Sequence, residues 1–188
     1  MGTRNSSILV RLAIEGDLPA LADMTDHNAI GHPAEKHPRP ISKLRDAYFG
    51  AQPVARLLVA TRDDRVIGTC QWTRIYDLYW AAFGGYVEWL YVRPEVRGLG
   101  VPAVLMAEIC REVREAGGEF LHGGAETEIT AALYDRVGMS WPSRSVYVSG
   151  EAFQQFADLA GKPARDIVRY LPRPELNRMA ARPRNIDP

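Results

Sequence analysis

Two cysteines in 188 residues, Cys70 and Cys110, are too few for a disulfide framework and have no metal-ligand spacing. They read as reduced core thiols of a cytoplasmic protein. The four histidines, His27, His32, His37 and His122, add no metal pattern. Net charge is lacking too: 23 Lys and Arg balance 23 Asp and Glu, so no general attraction to nucleic acid or membrane is built in. No apolar stretch approaches the ~20 residues of a membrane span, and none at the N-terminus is long enough for a secretory signal. Repeats and low-complexity runs are missing as well. What is present is a globular composition, 46% hydrophobic, enough to bury a core. The length fits one domain, 1–150, with a C-terminal extension, 151–188.

The pattern along the chain predicts a mixed α/β (α+β) fold. Ile8–Ala13 reads as a strand, and Asp17 caps a helix through about Met24. A Pro- and His-containing loop follows, then a helix from Ser42 to about Phe49. Arg56–Thr61 and Val66–Trp72 make a hairpin around Asp63-Asp64, and Gly84-Gly85 precedes a third strand, Tyr86–Val92. Val101, Val104, Leu105, Ile109 and Val113 recur at helical spacing over Gly100–Ala116, with Glu108, Arg111, Glu112 and Glu115 on the opposite face. Phe120–Gly123 is a short strand, a helix runs from about Thr127 to Arg136, and Ser143–Ser149 is a last strand. Gln154–Leu159 forms a short helix. From Gly161 recurring prolines predict an arm that is extended or partly disordered.

The most informative stretch is Glu88-Trp89-Leu90-Tyr91-Val92-Arg93-Pro94-Glu95-Val96-Arg97-Gly98-Leu99-Gly100-Val101. An apolar strand enters a loop that turns through two glycines and opens a long helix. Glycines let backbone N–H groups approach a ligand, and a helix start adds unpaired donors and partial positive charge. Together these make a cradle for a pyrophosphate. Gly98-Leu99-Gly100-Val101-Pro102-Ala103 also fits the G-x-G-x-x-A of dinucleotide folds. That fingerprint follows its strand directly, whereas here Arg93–Arg97 intervene after an antiparallel meander.

Arg97-Gly98-Leu99-Gly100-Val101, followed by Ala132-Leu133-Tyr134-Asp135-Arg136-Val137-Gly138-Met139, resembles the two signature segments of the GNAT superfamily of acetyl-CoA-dependent N-acetyltransferases. The resemblance covers most of residues 8–148. It implies a central, mostly antiparallel twisted sheet with helices on both faces and a V-shaped splay between the fourth and fifth strands. It implies acetyl-CoA as cosubstrate, with the backbone of Leu90, Tyr91 and Val92 holding its pantetheine arm and the N–H groups of Arg97, Gly98, Leu99, Gly100 and Val101 its pyrophosphate. Thr127 stands where many members place an asparagine near the cofactor arm. Pro102 replaces the family's last loop Gly or Ala; it suits a first helical turn but removes one donor.

The resemblance also implies acetyl transfer to a primary amine by direct attack in a ternary complex. Glu88 matches a glutamate that serves as base in several members. It interrupts an apolar run, where burial raises a carboxylate's pKa unless a cation such as Arg74 pairs with it. Strand alternation puts Glu88, Leu90 and Val92 on one face, and Val87, Trp89 and Tyr91 on the other. Tyr134 matches the family's acid, a phenol that protonates the departing thiolate. The alternative is a non-catalytic CoA-binding or interaction module of the same fold. A small-molecule amine is the expected acceptor, with protein side chains and aminoacyl-tRNA less supported. The Pro-rich loop lies where the family shapes its acceptor pocket, and Tyr76–Phe83 offers aromatic residues and Asp77 to a cationic acceptor. The arm after Gly161 leaves room for a homodimer by swapping.

Overall fold

The computed structural model describes residues 7–30, 40–124, 132, 136 and 145–172. Among the described residues, six strands form one sheet in chain order: β1 (Leu9–Leu12), β2 (Arg56–Arg62), β3 (Arg65–Asp77), β4 (Ala82–Val92), β5 (Phe120–Gly124) and β6 (Ser145–Ser149). All neighbours are antiparallel except β4 and β5, which are parallel. A parallel neighbour needs a crossover. The crossover is α3 (Val101–Glu115). On one face of the sheet α1 (Leu18–Asn28) and α2 (Ile41–Phe49) cover a small core with Leu21, Met24, Leu57, Val59 and Tyr91. On the other, α3 packs with α4 (Gly150–Asp158) and α5 (Ala164–Arg169) over a larger core that includes Leu58, Trp72, Ile109, Phe153, Phe156 and Ile167. The mixed fold with helices on both faces is the one the sequence predicts.

Local chemistry explains the element ends. Asp63 and Asp64 both take positive φ, 51° and 59°, the backbone that matches a two-residue hairpin turn to strand twist. After α3, Gly117 turns at φ 78°, and the N–H groups of Gly117 and Gly118 reach back to the carbonyls of Arg114 and Val113 at 2.9 and 2.8 Å. Asp17 precedes α1 as expected, but its carboxylate does not cap that helix. It accepts the Ile14 N–H at 2.8 Å and two Arg11 bonds at 2.7 and 2.9 Å. Burial pushes this carboxyl up, but those bonds outweigh it and hold it below its ordinary value.

Three sequence expectations need correction. Gly84 and Gly85 lie inside β4, which begins at Ala82 rather than Tyr86. The strand admits them because there is no room for side chains: a Cβ on Gly84 would sit 2.6 Å from the Phe120 ring, and one on Gly85 2.6 Å from Val113 Cγ2. Glu112 does not share the solvent face of α3. It turns to the sheet, accepting two bonds from Arg56 and one from Trp72 Nε1, each at 2.9 Å. Arg111 does pair with both Glu108 and Glu115. Finally, regular structure does not stop at Leu159. Ile167 of α5 is fully buried in the α3 core, and such burial is worth about 1.5–3 kcal/mol per large apolar side chain. Pro163 is the N-cap of α5, and residues 173–188 of the expected arm lie outside the described residues.

Candidate active site

The site is built on β4, and its first determinant is a bulge. Gln71 pairs with Trp89 while the next residue, Trp72, pairs with Val87, so Glu88 is the extra residue on β4. A bulge resets alternation. Val87 therefore joins Leu90 and Val92 on the α3 face, while Trp89 and Tyr91 pack on the α1–α2 face. The simple alternation expected from sequence is wrong at this point. Because Val87 points to the α3 core, its neighbours Tyr86 and Glu88 lie on the opposite face, together with Trp89. Glu88 is exposed, not buried, and Arg74 is not its partner: Arg74 sits 4.2 Å over the Phe83 ring.

The second determinant is an incomplete ladder. β5 pairs with β4 only from Gly84 to Val87. From Glu88 to Val92, β4 has no strand on its β5 side among the described residues, which is the V-shaped splay between the fourth and fifth strands. Backbone bonds alternate along an antiparallel pair. The Arg93 N–H donates to the Ile67 carbonyl at 3.0 Å, so Tyr91 and Trp89 also direct their polar groups toward β3. Leu90 and Val92 direct theirs outward, into the splay. Of the three residues expected to hold a pantetheine arm, Tyr91 is thus committed to the sheet, and Leu90 and Val92 have no strand partner on their outward side among the described residues.

The strand then enters the glycine loop. Arg93 pins the entry, its guanidinium bonding the Val66 carbonyl at 3.1 Å and Asp23 of α1 at 2.8 Å. Pro94–Val96 form a 3-10 turn, and the Arg97 and Leu99 N–H groups are used within the turn, bonding Pro94 and Val96 carbonyls at 3.2 and 3.4 Å. Gly98 and Gly100 adopt φ 83° and 81°. Among the described residues their N–H groups donate to no backbone carbonyl. A Cβ on Gly98 would meet nothing within 4 Å, so this corner is open. With the N–H groups of Val101 and Ala103 in the first turn of α3, Gly98 and Gly100 make a donor set suited to a pyrophosphate. Pro102 falls in that same turn and supplies none. Arg97 is exposed beside the loop, and Val101 is buried, its side chain seated where a Gly68 Cβ would be 2.8 Å away.

Around Glu88 the structure gathers residues that the sequence did not single out. Tyr48 of α2 donates to Gln71 Oε1 at 2.6 Å. Burial, then the Glu88 carboxylate, pushes the Tyr48 phenol up and keeps it protonated. Gln71, a polar residue facing out of an apolar strand, was the available sequence signal; Tyr48 gave none, since only the tertiary fold brings α2 over β3. Tyr86 and His122 meet edge to face with ring centroids 5.0 Å apart. Tyr134 and Thr127 lie outside the described residues. Asp77, expected near an acceptor, accepts the Tyr79 and Trp80 N–H groups at 2.8 and 3.2 Å in its own turn. The described residues hold no group of three or more His, Cys, Asp or Glu able to bind a metal, and none of their helices is long and apolar enough to cross a membrane.

Comparison with known proteins agrees with this geometry. The acetyltransferase (GNAT) family profile matches residues 21–139. Among solved structures, the chain resembles an N-acetyltransferase from Staphylococcus aureus Mu50, with 18% identity and TM-score 0.62 over 77% of this chain and 99% of that one. It resembles yncA from Salmonella typhimurium, solved with its cofactor acetyl-CoA, with 16% identity and TM-score 0.63 over 84% and 98%. It also resembles the ribosomal-protein-alanine N-acetyltransferase of Brucella melitensis, with 20% identity and TM-score 0.56 over 74% and 96%. These likenesses carry the fold. No curated protein matches the chain. The chain belongs to the GNAT acetyltransferase family and is an acetyltransferase that uses acetyl-CoA.

Proposed function

We propose that the enzyme moves the acetyl group of acetyl-CoA to a primary amine by direct attack, with Glu88 as base and Tyr134 as acid. One observation carries the reading. The β4 edge that turns Leu90 and Val92 outward begins at the bulged residue Glu88, whose carboxylate is exposed at the mouth of the splay. A thioester arm laid along that edge as an added strand brings its acyl end to this carboxylate. The N–H groups of Gly98, Gly100 and Val101 anchor the pyrophosphate, and exposed Arg97 adds positive charge beside it. Thr127 completes the contacts to the arm.

In this mechanism Glu88 takes a proton from the ammonium acceptor, directly or through a water. The freed amine nitrogen attacks the thioester carbonyl carbon. The C–N bond forms, the C–S bond breaks, and the electron pair leaves on sulfur. Tyr134 gives a proton to that thiolate, as a phenol of ordinary pKa about 10 is able to do at neutral pH, and the second proton shed by the attacking nitrogen as the amide forms restores the phenol. No covalent enzyme intermediate is required, because alignment of amine and thioester supplies much of the rate. A small-molecule amine is the proposed acceptor, in a cytoplasmic setting.

Glu88→Gln and Tyr134→Phe test the assignment. Each is expected to lower kcat by about 10²–10⁴-fold, with acetyl-CoA affinity by calorimetry unchanged. Wild-type turnover in both variants rejects the assigned chemistry. Stable binding of acetyl-CoA with no thioester consumption across an amine panel rejects a small primary amine as the acceptor.

A further inference from the structure

The parallel pairing of β4 and β5 ends at Val87 and Gly123, one step beyond the pair Tyr86 and His122. The phenol of Tyr86 reaches past that last step. Its Oη lies 3.8 Å from where a Cβ on Gly124 would stand, at the point where β5 leaves β4. The His122 ring meets Tyr86 at an interplanar angle of 89°. An edge-to-face contact of this kind orients a ring and contributes about 0.5–1.5 kcal/mol beyond area burial. Tyr86 shares its sheet face with Glu88, next but one along the strand. The mouth is therefore flanked by a fixed phenol and a solvated carboxylate, with the Tyr48–Gln71 pair behind them.

Of Tyr48, Gln71, Tyr86, Glu88 and His122, Glu88 alone carries a formal charge at neutral pH. Burial keeps the Tyr48 phenol protonated and holds the His122 imidazole below its ordinary value against the pull of Asp77. Such a mouth attracts a cation. The hydroxyl of Tyr86 adds a hydrogen-bond acceptor and its ring a π face, both suited to an ammonium group. An acceptor with a carboxylate beside its amine would bring a second anion next to Glu88, and the two like charges repel.

We propose that Tyr86 binds the acceptor: it holds an alkylammonium lacking an adjacent carboxylate between its hydroxyl and Glu88, and His122 is the positioning residue that fixes its ring. This rests on the reading of Glu88 as base, and it adds the substrate class and the residue that selects it.

Acetylation of putrescine and of ornithine at its α-amine, the one beside the carboxylate, is the test, with the Nα- and Nδ-acetyl products told apart by mass spectrometry and only the Nα product counted for ornithine. Putrescine is expected to be acetylated with kcat/KM at least tenfold above ornithine. Tyr86→Phe raises the putrescine KM about tenfold, with kcat and the acetyl-CoA KM within twofold of wild type. His122→Ala raises the putrescine KM similarly, and His122→Phe, which keeps an aromatic edge against Tyr86, restores it. Acetylation of neither probe, a preference for ornithine, or an unchanged putrescine KM in Tyr86→Phe overturns the proposal. Glu88→Gln run in parallel separates the two levels. Collapse of kcat there with a wild-type KM in Tyr86→Phe removes only this inference, whereas full kcat in Glu88→Gln removes the assignment of the base.

Discussion

Between Ala82 and Val87, β4 lies against close-packed neighbours: β3 pairs along its length, and β5 pairs with it from Gly84. Two glycines there let an aromatic ring and two aliphatic side chains press on bare backbone. Between Glu88 and Val92 the same strand keeps β3 and loses β5. Apart from Glu88 its side chains are as apolar as before, yet among the described residues one row of backbone donors and acceptors has no strand to meet. Unpaired polar backbone inside a sheet is costly unless water or a ligand takes it. The bulge at Glu88 marks the change from one regime to the other. A strand serves as scaffold where both flanks are satisfied and as a binding edge where one is left open.

The largest expected contrast lies in amide exchange across the second half of β4. In the free protein the Tyr91 N–H, held by β3, should exchange on the order of a hundredfold more slowly than those of Leu90 and Val92. Adding acetyl-CoA should slow Leu90 and Val92 and leave Tyr91 unchanged. Equal protection of all three in the free protein would break the comparison, because it would mean that the edge is already covered. Next in size is the packed half. Gly85→Ala places a Cβ 2.6 Å from Val113 Cγ2 and 2.9 Å from Leu121 Cδ1, and such overpacking costs about 1–3 kcal/mol in a denaturant titration.

A smaller effect belongs to the loop that follows the open half. Gly100→Ala meets φ 81° and sets a Cβ 3.1 Å from Val168 Cγ2 and 3.2 Å from Ala164 Cβ on α5. The strained backbone alone costs about 1–2 kcal/mol. Gly98→Ala meets the same strain at φ 83° with open space around it. It should therefore lose less stability than Gly100→Ala but still weaken acetyl-CoA binding, since its Cβ stands in the open corner. Equal melting temperatures for the two variants would show that α5 does not press on the loop.

Much of this was legible in the sequence, and the parts that were not share a cause. Element order, the Asp63-Asp64 turn, the two glycines that open α3 and the family resemblance all follow from local patterns. The bulge does not, because the residue that fails to pair is defined by β3 rather than by β4 itself. The same holds for Gly84-Gly85, whose place inside a strand depends on Phe120, Val113 and Leu121 arriving from distant segments. Glu88 looked buried because its sequence neighbours are apolar; the splay exposes it. Tyr48 could not be found, since nothing in α2 announces that Gln71 and Glu88 lie beneath it.

The smallest effect is one of pH, and it comes from the packed half. Burial holds the His122 imidazole below its ordinary 6.5, against the opposing pull of Asp77. Between 6.5 and that lower folded value, the unfolded chain takes up a proton that the folded chain refuses. Proton uptake by the unfolded state favours unfolding, so the contribution is whole above 6.5 and declines as pH falls through this window. The Asp17 carboxylate, held below its ordinary 3.8, loses its own contribution only in stronger acid than the range compared below. Melting temperatures compared at about pH 7.5 and about pH 5.5 should fall for the wild type and fall less for His122→Phe. Glu88→Gln should leave that difference as it is, because Glu88 stands in water on the open half of the strand. If the acid sensitivity followed Glu88 instead, the titrating group would lie on the binding edge, and the division of β4 at the bulge would not describe where this enzyme buries its charge.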